Sequence, residues 1–297
     1  MQLLNKIKNS YKLRRKLMAY LFILPSLTIF ILFILYPIVY SFIMSFYDWN
    51  ILSTEASYIG LDNYNNMSND SRFWNALKNT FYFSFGFVPI GIIISLILAL
   101  FVNRKIKGKN IFRTIYFLPV IAPMSIIAII WTFLLNPDIG MISYYFSLIG
   151  LENTAWLRDP DLAMPAVIMV SIWKEMGFNM VVFLAGLQSI DESYYEAARI
   201  DGATKWEQFF YVTLPLLKST TAFVVIMTVI KSLQVFDQVY VMTGGGPLFS
   251  TETLVQYIYK LGFVNFNMGY GSTVAYALFI LLLFVTVIQL RYFKGEE

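Results

Sequence analysis

The chain has 297 residues, of which 58% are hydrophobic and 13% are charged, whereas soluble domains contain about 45–50% apolar and about 25% charged residues. It has no Cys and no His, which excludes disulfides, thiolate nucleophiles, imidazole bases and typical zinc sites within it. The composition predicts a lipid-embedded protein. Its net charge of +4 is mild, so the positions of the positive residues carry more information than their sum.

Six apolar runs are long enough to cross a bilayer, which takes roughly 20 helical residues. They are Leu17–Phe46, Phe81–Val102, Ile115–Leu135, Ala163–Leu187, Thr221–Val241 and Thr273–Leu290. The first run carries Pro25 and Pro37, which a span tolerates where neighbouring groups satisfy the freed backbone. It is too long for the apolar core of a signal peptide and no A-x-A-like site follows it, so we expect it to be retained.

Lys and Arg alternate between rich and poor segments along the chain. The rich segments hold Lys6, Lys8, Lys12, Arg14, Arg15 and Lys16, then Arg104, Lys105, Lys107, Lys109 and Arg113, then Arg199, Lys205 and Lys218, and finally Arg291 and Lys294. The loops between them hold only Arg72 and Lys78, Arg158, and Lys260. Positive residues favour the cytoplasmic side. The prediction is an all-α membrane protein of six transmembrane helices with both termini cytoplasmic: a basic tail at 1–16, a six-span transmembrane domain at 17–290 and a tail at 291–297.

A polar cytoplasmic segment at residues 191–215 separates the fourth and fifth runs. Asp191 or Ser193 can cap a short helix, and Gly202 suits a left-handed turn at its end. Thr204 followed three residues later by Glu207 forms a capping box for a second helix. Leu214-Pro215 is predicted to end that helix, because proline has no N–H to donate.

Two readings of this segment are open on physical grounds. It is either an amphipathic surface helix held in the lipid by Trp206 and Phe209, or a docking element for a cytoplasmic partner. In the second reading the small alanines beside Glu196 allow close approach.

The motif at Glu196-Ala197-Ala198, followed by Gly202, Val212 and Leu214-Pro215, resembles the EAA loop of bacterial ABC-importer permeases. Further stretches are similar to the carbohydrate-uptake branch of the maltose-transporter type. They are Gly60–Tyr64, Arg72–Thr80, Phe112–Thr114, Phe117–Pro119, Asn136-Pro137, Phe183–Gln188 and Val241–Pro247. Each stretch is weak alone, but their order is the family's and together they span most of the chain.

The resemblance implies a type I ABC importer permease fold in a bacterial plasma membrane. It implies a second, homologous permease, two ATPase subunits, an extracellular solute-binding protein and a sugar substrate. Glu196, Ala197, Ala198, Gly202, Leu214 and Pro215 would then form the ATPase-coupling element. ATP and Mg would sit on the partner ATPase, with no cofactor or metal on this chain, no enzymatic activity of its own and no nucleic-acid partner.

The motifs of the chain agree with the placement of ATP binding on a separate ATPase subunit. A P-loop needs G-x-x-x-x-G-K-[ST], and Lys107-Gly108-Lys109-Asn110 lacks both the first glycine and the hydroxyl. The triple glycine at Gly244–Gly246 has no following lysine and is predicted to form an extracellular turn.

Polar residues inside the fourth and fifth runs are the candidate substrate pathway, since a charge in the bilayer is costly and turns toward a cavity or a partner. They are Trp173, Lys174, Asn179, Lys231, Gln234, Asp237 and Gln238, with Glu175 beside them. Lys231, Gln234 and Gln238 would share one face of a continuous helix. The alternative is structural: ion pairs among the charges, and interhelical hydrogen bonds for Gln234 and Asn179.

Other functions stay open at this point. A secondary transporter often has inverted repeats, and none is clear between residues 1–150 and 151–297. An ABC permease for a different polar solute, such as glycerol phosphate or a polyamine, also stays open. A phosphorylated substrate favours cationic pathway residues, and Lys174 and Lys231 keep that solute open. A membrane enzyme is disfavoured by the lack of a convincing catalytic cluster.

Overall fold

The computed structural model describes residues 2–53, 55–104, 108–148 and 155–294, so the predicted cytoplasmic charges Lys105 and Lys107 and residues 295–297 of the C-terminal tail lie outside it. The helices are α1 (Gln2–Phe30), α2 (Tyr36–Met44), α3 (Asp62–Asn69), α4 (Ser71–Asn103), α5 (Lys109–Ile121), α6 (Met124–Leu134), α7 (Met141–Leu148), α8 (Pro160–Gln188), α9 (Glu192–Ile200), α10 (Lys205–Gln208), α11 (Leu214–Leu216), α12 (Lys218–Leu233), α13 (Asp237–Met242), α14 (Leu254–Tyr259) and α15 (Met268–Lys294). Among the described residues, the π-helical segments Ile31–Leu35 and Phe209–Thr213 join consecutive helices, and a further one, Lys260–Val264, continues α14. β1 (Tyr47–Asp48) pairs antiparallel with β2 (Ser57–Tyr58).

Four helical stretches are long and apolar enough to cross a membrane without a break: Leu13–Met44, Ser71–Asn103, Pro160–Gln188 and Met268–Phe293. Two further spans are bent pairs, Lys109–Ile121 with Met124–Leu134 at 98° and Lys205–Leu216 with Lys218–Leu233 at 67°. The described residues thus provide four candidate spans, or six if each bent pair is one span. The mainly helical character of the prediction is confirmed, with the short β1–β2 pair as an exception.

The third predicted run, Ile115–Leu135, is wrong as a continuous helix. Pro123 pushes the preceding residue out of the helical region, and Ala122 is extended at φ −72° and ψ 141°. The chain therefore turns sharply between α5 and α6, while Pro119 is accommodated inside α5.

The fifth run, Thr221–Val241, is also interrupted. α12 ends before Gln234, which has φ −103° and ψ 17°, and the helical path resumes at α13 only after Phe236. The break frees the carbonyl of Val235, which accepts a hydrogen bond from Thr253 Oγ1 at 2.9 Å. A break in an apolar helix is tolerated where the protein supplies such a partner.

The chain divides into two compact units, and the first comprises Met1–Met67 with Leu261–Tyr276. Its first span is apolar, and none of its most hydrophobic 18-residue window is buried. The end of this span is fixed by Asn63 Nδ2, which donates to the carbonyls of Ser45 and Tyr47 at 3.0 and 2.9 Å. Thr273 Oγ1 also donates to the Ser45 carbonyl, at 3.2 Å.

The second unit comprises Ser68–Lys260 with Ala277–Glu297, and α8 is the most buried of the unbroken spans. α8 begins at Pro160, where the Asp159 carboxylate caps the first turn by accepting the Asp161 N–H at 2.8 Å. Its core contacts with α4 and its neighbours include Phe83, Phe87, Met164, Val167, Val170 and Ile172. α5 crosses α8 at Gly177, where a β-carbon would lie 2.0 Å from the Tyr116 carbonyl oxygen, so the crossing requires glycine.

Candidate functional site

The polar segment, residues 189–217 between α8 and α12, contains the predicted helix and glycine turn. The Asp191 carboxylate accepts the Ser193 N–H at 2.8 Å, and this hydrogen bond lowers the pKa of Asp191. Gly202 has a φ of +81°, so the turn is left-handed as predicted. The turn lets the Ala203 N–H reach the Ala198 carbonyl at 2.8 Å, which satisfies a carbonyl at the end of α9.

The second arm of the segment begins with the predicted capping box. The Thr204 backbone N–H donates to Glu207 Oε2 at 2.6 Å, and the Glu207 backbone N–H donates to Thr204 Oγ1 at 3.4 Å. The predicted end at Leu214-Pro215 is wrong: α11 contains both residues, and the bend follows at Leu217. The π-helical segment before them explains the difference, because the Leu214 N–H already bonds five residues back, to Phe209.

The predicted coupling residues lie mostly on the surface of the segment. Glu196, Ala197, Gly202 and Pro215 are exposed, while Ala198 and Leu214 are half-buried. Exposed apolar side chains accompany them: Ile200 at 86%, Trp206 at 74% and Tyr211 at 80%. The two arms are tied together by a hydroxyl contact of 3.1 Å between Tyr195 and Thr213. Large apolar side chains grouped on a surface mark a protein or membrane contact.

A polar cavity of about 580 Å³ opens where the two broken spans meet α4 and α8. Its lining comprises Phe83, Phe87, Val120, Ile121, Ala122, Pro123, Met124, Ser171, Lys174, Glu175, Lys231, Gln234, Val235, Phe236, Asp237 and Gln238. Ends of α5, α6, α12 and α13 all reach it. Discontinuous helices leave backbone groups free to line a site in this way.

An ion triad crosses the wall of the polar cavity. Glu175 Oε2 accepts from Lys231 Nζ at 2.7 Å, and Glu175 Oε1 accepts from Lys174 Nζ at 3.3 Å. Lys174 Nζ also reaches the Val120 carbonyl at 3.5 Å, next to the α5–α6 break. The triad therefore joins α8 to α12, as the structural alternative for these charges predicted, and it also faces the cavity.

Gln234, Asp237 and Gln238 line the same cavity, but not because they share a helix face. The helix breaks at Gln234, so the predicted i, i+3, i+7 geometry with Lys231 is wrong, and the break itself turns these side chains to one space. Gln238 Nε2 donates to Ser171 Oγ at 3.1 Å. Asp237 is exposed in the first turn of α13.

The remaining pathway candidates, Trp173 and Asn179, do not line the polar cavity. The Trp173 ring meets the Trp131 ring edge-on at 5.5 Å between centroids. Asn179 is buried and donates from Nδ2 to Thr228 Oγ1 at 3.2 Å, which is the interhelical hydrogen bond of the structural alternative. Within the described ranges no group of three or more acidic side chains is placed to hold a metal ion.

A buried cluster that the sequence did not single out, here called the Glu252 clasp, joins the start of α4 to residues 252–260. Glu252 is fully buried and accepts two hydrogen bonds from Arg72, at 2.7 and 2.8 Å, and one from Lys260 Nζ, at 2.8 Å. Burial raises the pKa of Glu252, but the hydrogen bonds from Arg72 and Lys260 outweigh it and hold the pKa below its ordinary value. One feature of the sequence could have indicated this cluster: Arg72 and Lys260 lie in the loops that contain few positive residues.

The loop that leads into the clasp contains the predicted glycine turn. Gly244 and Gly245 have φ of +61° and +90°, which only glycine adopts at little cost. Lys260 Nζ donates to the Gly244 carbonyl at 3.0 Å, and Asn79 Nδ2 donates to the Glu252 carbonyl at 3.0 Å. The clasp thus fixes the loop whose Thr253 stabilises the break beside the polar cavity.

Residues 91–293 match the family model described as binding-protein-dependent transport system inner membrane component. A probable ABC transporter permease protein of Bacillus subtilis (strain 168) is 36% identical over 96% of this chain and 99% of the relative. A trehalose/maltose transport system permease protein of Thermococcus litoralis is 35% identical over 97% of each chain. The crystal structure of a bacterial ABC transporter involved in importing the acidic polysaccharide alginate superposes with a TM-score of 0.86, at 25% identity, over 97% of this chain and 99% of the other.

Proposed function

We propose that this chain, which belongs to the family of binding-protein-dependent transport system inner membrane components, moves a sugar or oligosaccharide through the polar cavity as the permease subunit of an ABC importer. It is a multi-pass membrane protein. The observation that carries the substrate assignment is the set of amide and carboxylate side chains, Gln234, Asp237 and Gln238, that line one cavity between membrane helices. Sugar hydroxyls bind such groups, and the aromatic side chain of Phe236 belongs to the same lining.

The proposed topology has six spans, each bent pair counting as one, with both termini in the cytoplasm. The polar segment then faces the cytoplasm, in agreement with its two positive residues, Arg199 and Lys205. Glu196, Ala197, Ala198, Gly202, Leu214 and Pro215 would dock in an ATPase subunit. The exposed motif residues and the exposed apolar side chains of the segment support this role.

The proposed complex contains a second, homologous permease, two ATPase subunits and an extracellular solute-binding protein. ATP and Mg bind to the ATPase subunits in this proposal. A structure similar to this chain, at a TM-score of 0.84, is that of the alginate ABC transporter in complex with its oligosaccharide-bound periplasmic protein, which supports a binding-protein partner here.

Reconstitution tests the proposal. The affinity-tagged chain is purified from native membranes in mild detergent, its partners are identified by mass spectrometry, and the complex is placed in liposomes with its binding protein. Co-purification of an ATPase and a second permease, with ATP-dependent uptake of one member of a labelled oligosaccharide panel, is expected. A chain that purifies alone and whose solute uptake is driven by an ion gradient, without ATP, would instead be a secondary transporter.

The main alternative within the family is an anionic solute such as glycerol phosphate. The similar proteins do not decide the charge of the solute, since they include one named for trehalose and maltose and one involved in importing an acidic polysaccharide. The same uptake panel therefore includes glycerol 3-phosphate.

A further inference from the structure

The second arm of the polar segment, residues 205–216, carries three large aromatic side chains that are each more than half exposed: Trp206, Phe210 and Tyr211, here called the aromatic surface. The Trp206 and Phe210 rings stack with their centroids 6.2 Å apart, as expected for side chains four positions apart on one helix face. Tryptophan and tyrosine are enriched where a membrane meets water, because their rings are apolar and their polar atoms can still reach water. The aromatic surface thus has the composition of a membrane contact.

The bend at Leu217 determines how the second arm lies relative to the bilayer. The predicted apolar run after the bend begins at Thr221, so the bend lies at the cytoplasmic edge of the hydrocarbon, and α12 with α13 supplies the crossing. The second arm leaves the axis of α12 at 67°. Membrane helices tilt by only about 20° on average, so the second arm lies closer to the membrane plane than to its normal.

The length of the second arm keeps it within the headgroup region. Trp206 precedes Leu217 by 11 residues, which corresponds to a helical path of about 16 Å. A bend of 67° leaves about 6 Å of that path along the axis of α12. The headgroup region on one side of a bilayer is roughly 5–7 Å thick. The whole aromatic surface therefore stays within reach of lipid.

The two arms differ in charge in the direction that this placement requires. The first arm, residues 191–201, has a net charge of −3, from four acidic residues and one basic residue. Residues 202–218 have a net charge of +1, from Lys205, Glu207 and Lys218. Anionic lipids of the cytoplasmic leaflet attract lysine and arginine and repel acidic side chains. Charge therefore favours the membrane for the second arm and the aqueous side for the first.

The contact between the arms leaves the aromatic surface uncovered. Thr213 is buried, and its hydroxyl meets the Tyr195 hydroxyl at 3.1 Å. The first arm thus packs on the buried side of the second arm, while Phe210 and Tyr211 stay exposed. One side of the second arm is available to lipid without any movement of the first arm.

We infer that the second arm lies in the cytoplasmic headgroup region, with the aromatic surface of Trp206, Phe210 and Tyr211 in the lipid and the acidic first arm on the aqueous side. This inference rests on the proposed function, because it assigns the first arm to the ATPase subunit. The two physical readings of the polar segment then both hold, each for one arm.

The inference also divides the proposed coupling residues. Those on the first arm and its turn contact the ATPase directly: Glu196, Ala197, Ala198 and Gly202. Leu214 and Pro215 lie beside the bend and contribute by holding the second arm at the membrane. The second arm then connects the ATPase contact to α12 along the membrane surface.

The absence of native cysteine allows the membrane depth of each arm to be measured. Tyr211→Cys and Phe210→Cys each place one thiol of this chain on the second arm, and Ile200→Cys, at another exposed position, is the matched control on the first arm. The complex in nanodiscs of phosphatidylcholine and phosphatidylglycerol is labelled with a methanethiosulfonate nitroxide. The wild-type complex, treated in the same way, corrects for cysteines of the partner chains. Electron paramagnetic resonance then measures nitroxide collisions with oxygen, which concentrates in lipid, and with a water-soluble nickel chelate.

The ratio of oxygen to nickel collisions is expected to be roughly threefold or more higher for the labels of Tyr211→Cys and Phe210→Cys than for that of Ile200→Cys, because interfacial helices bury their apolar face at the headgroup boundary. The ratio on the second arm should stay the same when the chain is reconstituted without the ATPase. Both collision rates of the Ile200→Cys label should instead rise, because its surface is then released to water.

Frequent nickel collisions on the second arm, equal to those of the Ile200→Cys label without the ATPase, would place the aromatic surface in water and overturn the inference. Low collision rates with both reagents would assign that surface to a protein partner and would equally overturn it. The depth is measurable on the chain without partners and needs no known solute. A chain that purifies alone, or a failure of ATP-dependent uptake, would therefore refute the proposed function while the position of the second arm is still measured.

Discussion

The polar segment and the polar cavity hold their functional groups in different ways. In the segment, the caps and the glycine turn are bonds between residues two to five positions apart, such as Ala203 to Ala198. In the cavity, Lys231 binds Glu175 across 56 positions and Gln238 binds Ser171 across 67. The segment can keep its shape while its partner surface changes, whereas the cavity exists only when α4, α8 and the broken spans are packed together.

This difference makes the two regions separable by mutation. Changes in the exposed polar segment should affect partner binding with little loss of stability, because few of its side chains are buried. Changes in the cavity wall and the Glu252 clasp should affect stability, solute handling or both.

The largest expected effect comes from Gly202→Pro in the polar segment. Proline fixes φ near −65° and removes an N–H, whereas Gly202 has φ +81° and donates to the Arg199 carbonyl at 3.1 Å. We expect the co-purified ATPase and ATP-dependent uptake to fall by about tenfold or more, with no change in detergent melting temperature beyond a few degrees. Gly202→Asn is the matched control, since asparagine tolerates the left-handed region. Full retention of the ATPase in Gly202→Pro would contradict the docking role.

Next in size is Glu252→Gln in the clasp. The variant leaves Arg72 and Lys260 without their buried anion, and breaking a buried pair costs about 3–5 kcal/mol. We expect the lower end, about 3 kcal/mol, because water reaches the Arg72 side chain, which is 32% exposed. Thermal unfolding of the complex in detergent measures it. The double variant Arg72→Gln with Glu252→Gln should be more stable than the sum of the two single losses of stability predicts. Losses that simply add in the double variant would argue against a direct pair.

The lowered pKa of Glu252 predicts a pH effect with a definite sign. A carboxyl whose folded pKa lies below its unfolded value stabilises the fold above the unfolded pKa and loses that contribution as pH falls through the folded pKa. With an ordinary value of 4.5, melting temperature should be steady down to about pH 5 and fall below it. The wild-type chain should lose more than Glu252→Gln over this range, and parallel curves for the two proteins would refute the assignment.

The smallest expected effects separate two amides that the sequence placed in one pathway. Gln234→Ala should weaken solute uptake by roughly threefold to tenfold, the value of about one hydrogen bond, and leave the melting temperature unchanged. Asn179→Ala should instead lower stability by roughly 0.6–1.7 kcal/mol, the range for interhelical hydrogen bonds in membranes, with the KM for uptake unchanged. Uptake titrations and melting curves on the same samples distinguish them, and reversed results would move Asn179 into the pathway and Gln234 out of it.

Local chemistry explains which features could be predicted from the sequence. The Asp191 cap, the Gly202 turn and the Thr204–Glu207 box each depend on residues close in the chain, and all three formed as expected. Pro215 was misjudged because the π-helical turn before it had already changed the hydrogen-bond register. The break at Gln234 depends on Thr253, 19 residues further on, whose hydroxyl donates to the Val235 carbonyl. This break therefore could not be predicted from the residues of the apolar run alone.

The Glu252 clasp also has a consequence for how the chain is made. Arg72 and Glu252 are 180 positions apart, and ribosomes extend chains at roughly 5–20 residues per second, so on the order of ten to forty seconds separate the synthesis of the two residues. Throughout that interval the newly made start of α4 has no Glu252 to bind. The clasp closes only after α13 and the following loop have been delivered to the membrane, which makes it a late step of biogenesis and a marker of a completely inserted chain.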